Sequence, residues 1–474
     1  MRQSGLSLKN PFGLSKQTRP PLAAMKSEAL IVLGLSIIVG VLVVWQKLIL
    51  LALISVGILM YLAIKKTIWI TYLTILITPF TGIITEFIPK KYFFERTIVI
   101  SDILFMSLII GLVFQFITAR QKIWTSKPKV DKSIIFLSLI ILYGFLYGVL
   151  NQYDAVFRES RGLLFYTTLP LLIVFMRNYV NEKTKETFLN FLYFYFIFVC
   201  IMNILFSLGF LDFFVVVSKT PGQIMGFLRP NQYIDTIVSI PAIFFGILGV
   251  QYGESKRDKI LSSICVVLGM TVLMISVTRG FLVGFILSFL VFPIILKRGG
   301  IFSFRTLVIA LLLLMSLYIV VNFFRFDFIE AYIGRFQESR NVENRIEEVK
   351  DYLSSFKQKP FVGHGFGSPV VRALTYGGET TYSHNEYVYF LQTVGVMGFS
   401  IFLWFIVKLI IASSHVFKNT RNKYDVIISS LTLMTVLSFI IISVSSPEFR
   451  NITTTPFLII LISFVYSLKA DINA

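Results

Sequence analysis

The sequence predicts an all-α integral membrane fold: a bundle of about fourteen transmembrane helices with one long outer loop. Two observations predict it. Apolar runs of the roughly 20 residues that a helix needs to cross a bilayer recur from residue 28 to residue 468. Between them, Lys and Arg collect in every second connection, as the positive-inside rule requires. More than half of the 474 residues are hydrophobic and 48 are Phe, a burden that a soluble chain of this length would not carry.

The spans read at about 28–45, 47–64, 68–85, 98–118, 133–150, 162–176, 188–209, 234–252, 260–278, 281–296, 304–323, 385–411, 424–444 and 453–468. Only Trp45, Gln46 and Lys47 separate the first two, and the sixth is short, so the pattern also admits twelve or thirteen. The expected organisation is a basic cytoplasmic tail over 1–27 and eleven spans over 28–323. An outer loop over 324–384, three spans over 385–468 and a cytoplasmic tail over 469–474 follow. With the basic tail inside, the inner connections hold Lys65 and Lys66, Lys183 and Lys185, Lys256 and Arg257, and Lys418 and Lys423, among others. The outer connections are then 86–97, 151–161, 210–233, the turn at Arg279 and Gly280, 324–384 and 445–452.

The net charge of +19 follows from that asymmetry, and nucleic acid is not an expected partner. Cys200 and Cys265 both lie in apolar spans, which gives no disulfide framework and no metal motif. No phosphate-binding loop, dinucleotide fingerprint, zinc spacing or outer Asp-x-Asp pair is present, so no cofactor and no metal are expected.

The outer loop is close to neutral. Within it Val342, Ile346, Val349, Tyr352, Leu353 and Phe356 recur at helical spacing with charges between them, which predicts an amphipathic helix. Pro360 ends it, and Gly363, Gly365 and Gly367 form a loop able to approach another backbone closely.

Topology brings three residues to one membrane face: Arg279 at the end of span nine, Arg345 on the amphipathic helix and His384 at the start of span twelve. Arginine suits phosphate oxygens because its planar fork donates two hydrogen bonds at once. Histidine takes a proton near neutral pH. Two guanidiniums and a histidine therefore suit a diphosphate substrate and an incoming hydroxyl. The plainer alternatives are an interfacial anchor for Arg279 and a surface pair with Glu338, Glu343 or Glu348 for Arg345. Arg158, Arg161 and Arg229 are further outer-face candidates for substrate contact, with Asn385 and Tyr387 beside the histidine. His364 reads as structural and His415 as a solvated inner-loop residue.

His384-Asn385, followed after nine residues by Gly395 and Gly398, resembles the signature of the bacterial O-antigen ligase/polymerase superfamily. Arg279-Gly280-Phe281-Leu282-Val283 is similar to its Arg-x-x-x-Leu element. Asn344-Arg345-Ile346 and Lys359-Pro360-Phe361-Val362-Gly363 resemble the stretch before its histidine, and Gly226 to Asn231 a family turn. The resemblance implies a multi-pass glycosyltransferase of the bacterial inner membrane, similar in fold to the GT-C class. It implies transfer of glycan units from undecaprenyl diphosphate to an acceptor glycan or lipid hydroxyl at the periplasmic or outer face, with inversion and without metal. Arg279 and Arg345 would hold the diphosphate and His384 would activate the acceptor, with membrane lipids and other polysaccharide assembly proteins as further partners. The alternative is an exporter or flippase of lipid-linked glycan. Transporters place polar sites near the bilayer midplane, whereas these residues gather at helix ends.

Overall fold

The computed structural model describes residues 57–59, 61–81, 100–118, 130–208, 223–224, 227–228, 234–276, 278–296, 318, 339–372 and 378–472. The expected spans at 28–45 and 304–323 lie almost wholly outside these residues, as does most of 47–64. The chain divides into two compact units, Met1–Leu59 and Met60–Ala474, and the architecture below is that of the second.

The described chain is mostly helical, and six of its helices are long and apolar enough to cross a membrane. In order the elements are α1 (Thr67–Ile77), α2 (Ile100–Thr118), α3 (Lys132–Leu150), α4 (Val156–Leu164), α5 (Leu169–Tyr179), α6 (Glu182–Ser207), α7 (Ser239–Tyr252), α8 (Lys256–Ile275) and α9 (Arg279–Leu296). After them come α10 (Ser339–Gln358), α11 (Glu386–Asn419), α12 (Lys423–Ile442) and α13 (Thr455–Ile472). Two small antiparallel hairpins also form, β1 (Gln223–Ile224) with β2 (Phe227–Leu228) and β3 (Val370–Arg372) with β4 (Gly378–Thr380). The sequence reading has no strands, because pairs this short leave no alternating pattern to detect.

Helix starts follow local chemistry. Asp131, Asn181, Ser255 and Asn422 cap α3, α6, α8 and α12, each accepting a backbone N–H of the first turn. The short sixth span is a broken helix. Pro170, at the start of α5, lacks the N–H that a continuous helix would use, and a 3₁₀ stretch over Phe165–Thr168 joins α4 to α5. The combined stretch Val156–Tyr179 is long enough to span. Helix therefore begins at 156, within the connection expected at 151–161, and α13 runs to Ile472, past the tail boundary expected at 469.

The window that marks α12 as a span is 89% buried against 39% for α3, so α12 is central and α3 peripheral. α11, α9, α7 and α13 all pack on it. At one end of the bundle, Lys185 pairs with Asp425 at 2.7 Å and with Glu182 at 3.0 Å. Lys423 there pairs with Glu254 at 2.6 Å. These tie α6, α12 and the α7–α8 turn together. The candidate site described next draws on the connections at the other ends of these helices.

One kink decides how the site is held. Gly395 sits inside α11 with φ 67 and ψ −175, a conformation open in practice to glycine alone. The break exposes carbonyls of α11, and the glycine loop after α10 fills it. His364 N–H donates to Gln392 O at 2.9 Å and Gly365 N–H to Thr393 O at 2.8 Å. Val396 N–H in return donates to Pro360 O at 2.8 Å. Phe366 N–H reaches Gly144 O of α3 at 2.9 Å, so the loop is wedged between α3 and α11. The sequence suggests close helix packing for both glycines. Gly398 does pack, against Ile140 of α3, but Gly395 is a backbone device. Gly395→Ala is expected to destabilise the protein by about 1–3 kcal/mol from strain alone, since a Cβ would also strike Phe361 O. A thermal unfolding curve in detergent equal to that of the wild type would refute this.

Candidate active site

A cavity of about 850 Å³ opens where several helix ends meet. Its walls come from the end of α1, the start of α4, the residues before α7, the start of α9, α10 with the 382–384 stretch, and the α12–α13 connection. Alternation of the expected spans puts all of these connections on one side.

His384 lines this cavity at the end of an extended approach to α11, which Asn385 caps by accepting from Tyr387 N–H and Val388 N–H. Its ring is fixed from behind. Nδ1 lies 3.0 Å from Glu348 Oε2, and the backbone N–H of His384 donates to the other oxygen of the same carboxylate. Ser383 Oγ donates to that oxygen at 2.8 Å. The Glu348 side chain is 3% exposed and that of His384 33%, so the carboxylate is a buried anchor and the imidazole faces the opening. With Nδ1–H donating to Glu348, Nε2 is left as the acceptor, the form a base requires. The Tyr382 ring stands edge-on to the imidazole with centroids 4.8 Å apart.

Arg345 stands one turn before Glu348 on α10 and contacts the same carboxylate at 3.4 Å, with its side chain 43% exposed. Glu348 therefore joins the His384 imidazole and the Arg345 guanidinium. The face of α10 that turns inward carries Glu348 and the fully buried Tyr352, whereas Ile346 of the expected apolar face is 51% exposed.

Arg450 forms a second support. Its Nη1 donates to Glu159 Oε2 at 2.7 Å and its Nη2 to Ser383 O, directly beside His384. The guanidinium lies 3.9 Å from the Tyr389 ring centroid and 5.2 Å from that of Tyr382. Burial opposes its charge, but Tyr389, Glu159, Glu386 and Tyr382 outweigh burial and hold it protonated. Gly162 lets α4 pass against the Arg450 backbone where any Cβ would collide, and so brings Glu159 into reach. Arg158 completes the group, at 3.1 Å from Glu159 Oε1 and 2.7 Å from Thr381 Oγ1.

The sequence-derived candidates separate accordingly. His384, Arg345 and Arg161 all line the cavity, Arg161 with Nε 3.2 Å from Asp102 Oδ1. Arg279 begins α9, and its neighbours Thr278 and Gly280 line the cavity, but Arg279 itself is not among the walls. Asn385 serves as the helix cap, and the Tyr387 hydroxyl donates to Ile440 O, so neither faces the opening. Arg229 lies outside the described residues. His364 holds Ser355 O with Nε2 at 2.9 Å, a structural contact. His415 is a half-buried residue of α11 and not the solvated loop residue expected.

Residues 264–403 match the family model described as O-antigen ligase. Over this segment the chain is similar to the O-antigen ligase domain. The segment holds Arg279, Arg345, Glu348, His384 and the kink at Gly395. The cavity is not confined to the matched segment, because Arg158, Glu159, Arg161 and Arg450 come from outside it. A search of curated proteins finds no match to the chain.

Proposed function

We propose that this ligase-family membrane protein is a glycosyltransferase. It moves or polymerises glycan units from undecaprenyl diphosphate onto an acceptor hydroxyl of a glycan or lipid at the outer face of the bacterial inner membrane. The observation that carries the reading is the His384–Glu348–Arg345 arrangement at the mouth of a cationic cavity. Nε2 of His384 takes the proton of the acceptor hydroxyl. The oxygen attacks the anomeric carbon from the face opposite the diphosphate, the bond to the diphosphate oxygen breaks, and configuration inverts. Glu348 holds the imidazole in the basic tautomer and stabilises the imidazolium that forms. Arg345, with Arg161 in the wall and Arg279 beside it, binds the diphosphate and takes up the charge of the leaving group, so the reading needs no metal.

The test is Arg345→Lys, which keeps the charge and loses the two-pronged fork. Donor binding is expected to weaken about 10-fold to 100-fold, the scale of a charge-assisted hydrogen bond, with insertion and folding intact. Wild-type activity of this variant at limiting donor would return Arg345 to the role of a surface partner for Glu348.

A further inference from the structure

We propose that the Asp235–Glu448 side of the same cavity is a saccharide subsite that takes an uncharged sugar ring carried on the diphosphate. This rests on the glycan-transfer reading and adds the residues that recognise the sugar. The wall is built from Asp235, which caps the 3₁₀ turn Thr236–Val238 ahead of α7, and from the α12–α13 connection. Asp235 accepts from Ile237 N–H at 3.0 Å, from Asn451 Nδ2 at 2.9 Å and from Thr453 Oγ1. Those bonds satisfy Asp235 and hold the wall in place.

Glu448 is different. It is 1% exposed, and its Oε1 accepts from Ser446 Oγ at 2.6 Å. Its Oε2 has no hydrogen-bond partner among the described residues, although the residue lines the cavity. A buried carboxyl oxygen left unpaired costs about 1–3 kcal/mol or more, and at a cavity wall a bound ligand can supply the missing partner. Burial first, and the adjacent Asp235 second, push its carboxyl up to about 8. Near neutral pH Glu448 therefore holds a proton and presents both a donor and an acceptor, the pairing that a sugar hydroxyl offers in return. Asp235, which only accepts hydrogen bonds, disfavours the carboxylate of a uronic acid beside it. Arg158, Arg161, Arg345 and Arg450 share the cavity, so one ligand with an anionic part and a hydroxylated part fits the whole.

The experiment measures binding of two probes to the purified full chain in detergent, bare undecaprenyl diphosphate and undecaprenyl diphosphate carrying one N-acetylhexosamine. The wild type is expected to prefer the second. Glu448→Met keeps the side-chain volume and removes both hydrogen-bonding oxygens. It is expected to lose that preference by about tenfold while binding the bare lipid as the wild type does. Glu448→Ala is expected to do the same, and gel filtration reports whether each variant is folded. Failure of the wild type to bind either lipid would remove the glycan-transfer reading itself. Binding of both lipids by the wild type, with no sugar preference or with a preference that Glu448→Met leaves unchanged, would overturn the subsite alone. Equal weakening for both lipids would overturn it too.

Discussion

His384→Ala is expected to lower glycan transfer by roughly 10²-fold or more, the range for a positioned acid–base group. Donor binding should persist, because Arg345 and Arg161 remain in the cavity wall. The fold should persist as well, since the imidazole is partly exposed and its backbone N–H still reaches Glu348. The comparison that matters is with His364→Ala and His415→Ala. His364 supports the glycine loop through Ser355 O, so its loss should lower stability and activity together. His415 lies on α11 far along the helix from its cavity end. Loss in His384→Ala alone, with unchanged unfolding, separates chemistry from scaffolding. Full activity in His384→Ala would remove the base from this mechanism.

Arg450→Met is expected to be worse for the fold than for the chemistry. Arg450 and Glu159 form a 2.7 Å pair whose side chains are 4% and 5% exposed. Removing Arg450 leaves the buried Glu159 with only the exposed Arg158 as cationic partner, at a cost of up to about 3–5 kcal/mol. The loss also frees Ser383 O next to His384 and takes the cation from between Tyr382 and Tyr389. The single variant should therefore fail to accumulate or unfold at markedly lower temperature. Adding Glu159→Gln should recover part of the stability, because the stranded charge is gone. A double variant no better than the single one would show that the burden lies in packing and not in the ion pair.

Much of this site could be read along the chain, for identifiable reasons. His384 and Arg345 stood out because a titratable group at the lip of an apolar span, or on an amphipathic face, is costly without a task. Asn385 was expected to touch substrate, although its place directly before an apolar run fits the helix cap it makes. Glu348 was visible only as one of three acids near Arg345. Its spacing of three from Arg345 put both on one helix face, but which acid turns inward depends on where α10 docks. The Glu159–Arg450 pair had no local signal, since its members are 291 residues apart and meet only when α4 crosses the α12–α13 connection. Gly395 and Gly398 looked alike in sequence. One carries a left-handed φ and the other a helix contact, a difference that belongs to the backbone around them.

The central claim is that this cavity makes a glycosidic bond. The most direct measurement uses the purified protein in lipid vesicles with labelled undecaprenyl diphosphate-linked glycan, and counts both free undecaprenyl diphosphate and newly bonded glycan. One lipid diphosphate released for each new bond, with both products lost in His384→Ala, is the predicted result. Labelled glycan that crosses the bilayer while no new bond forms would contradict it.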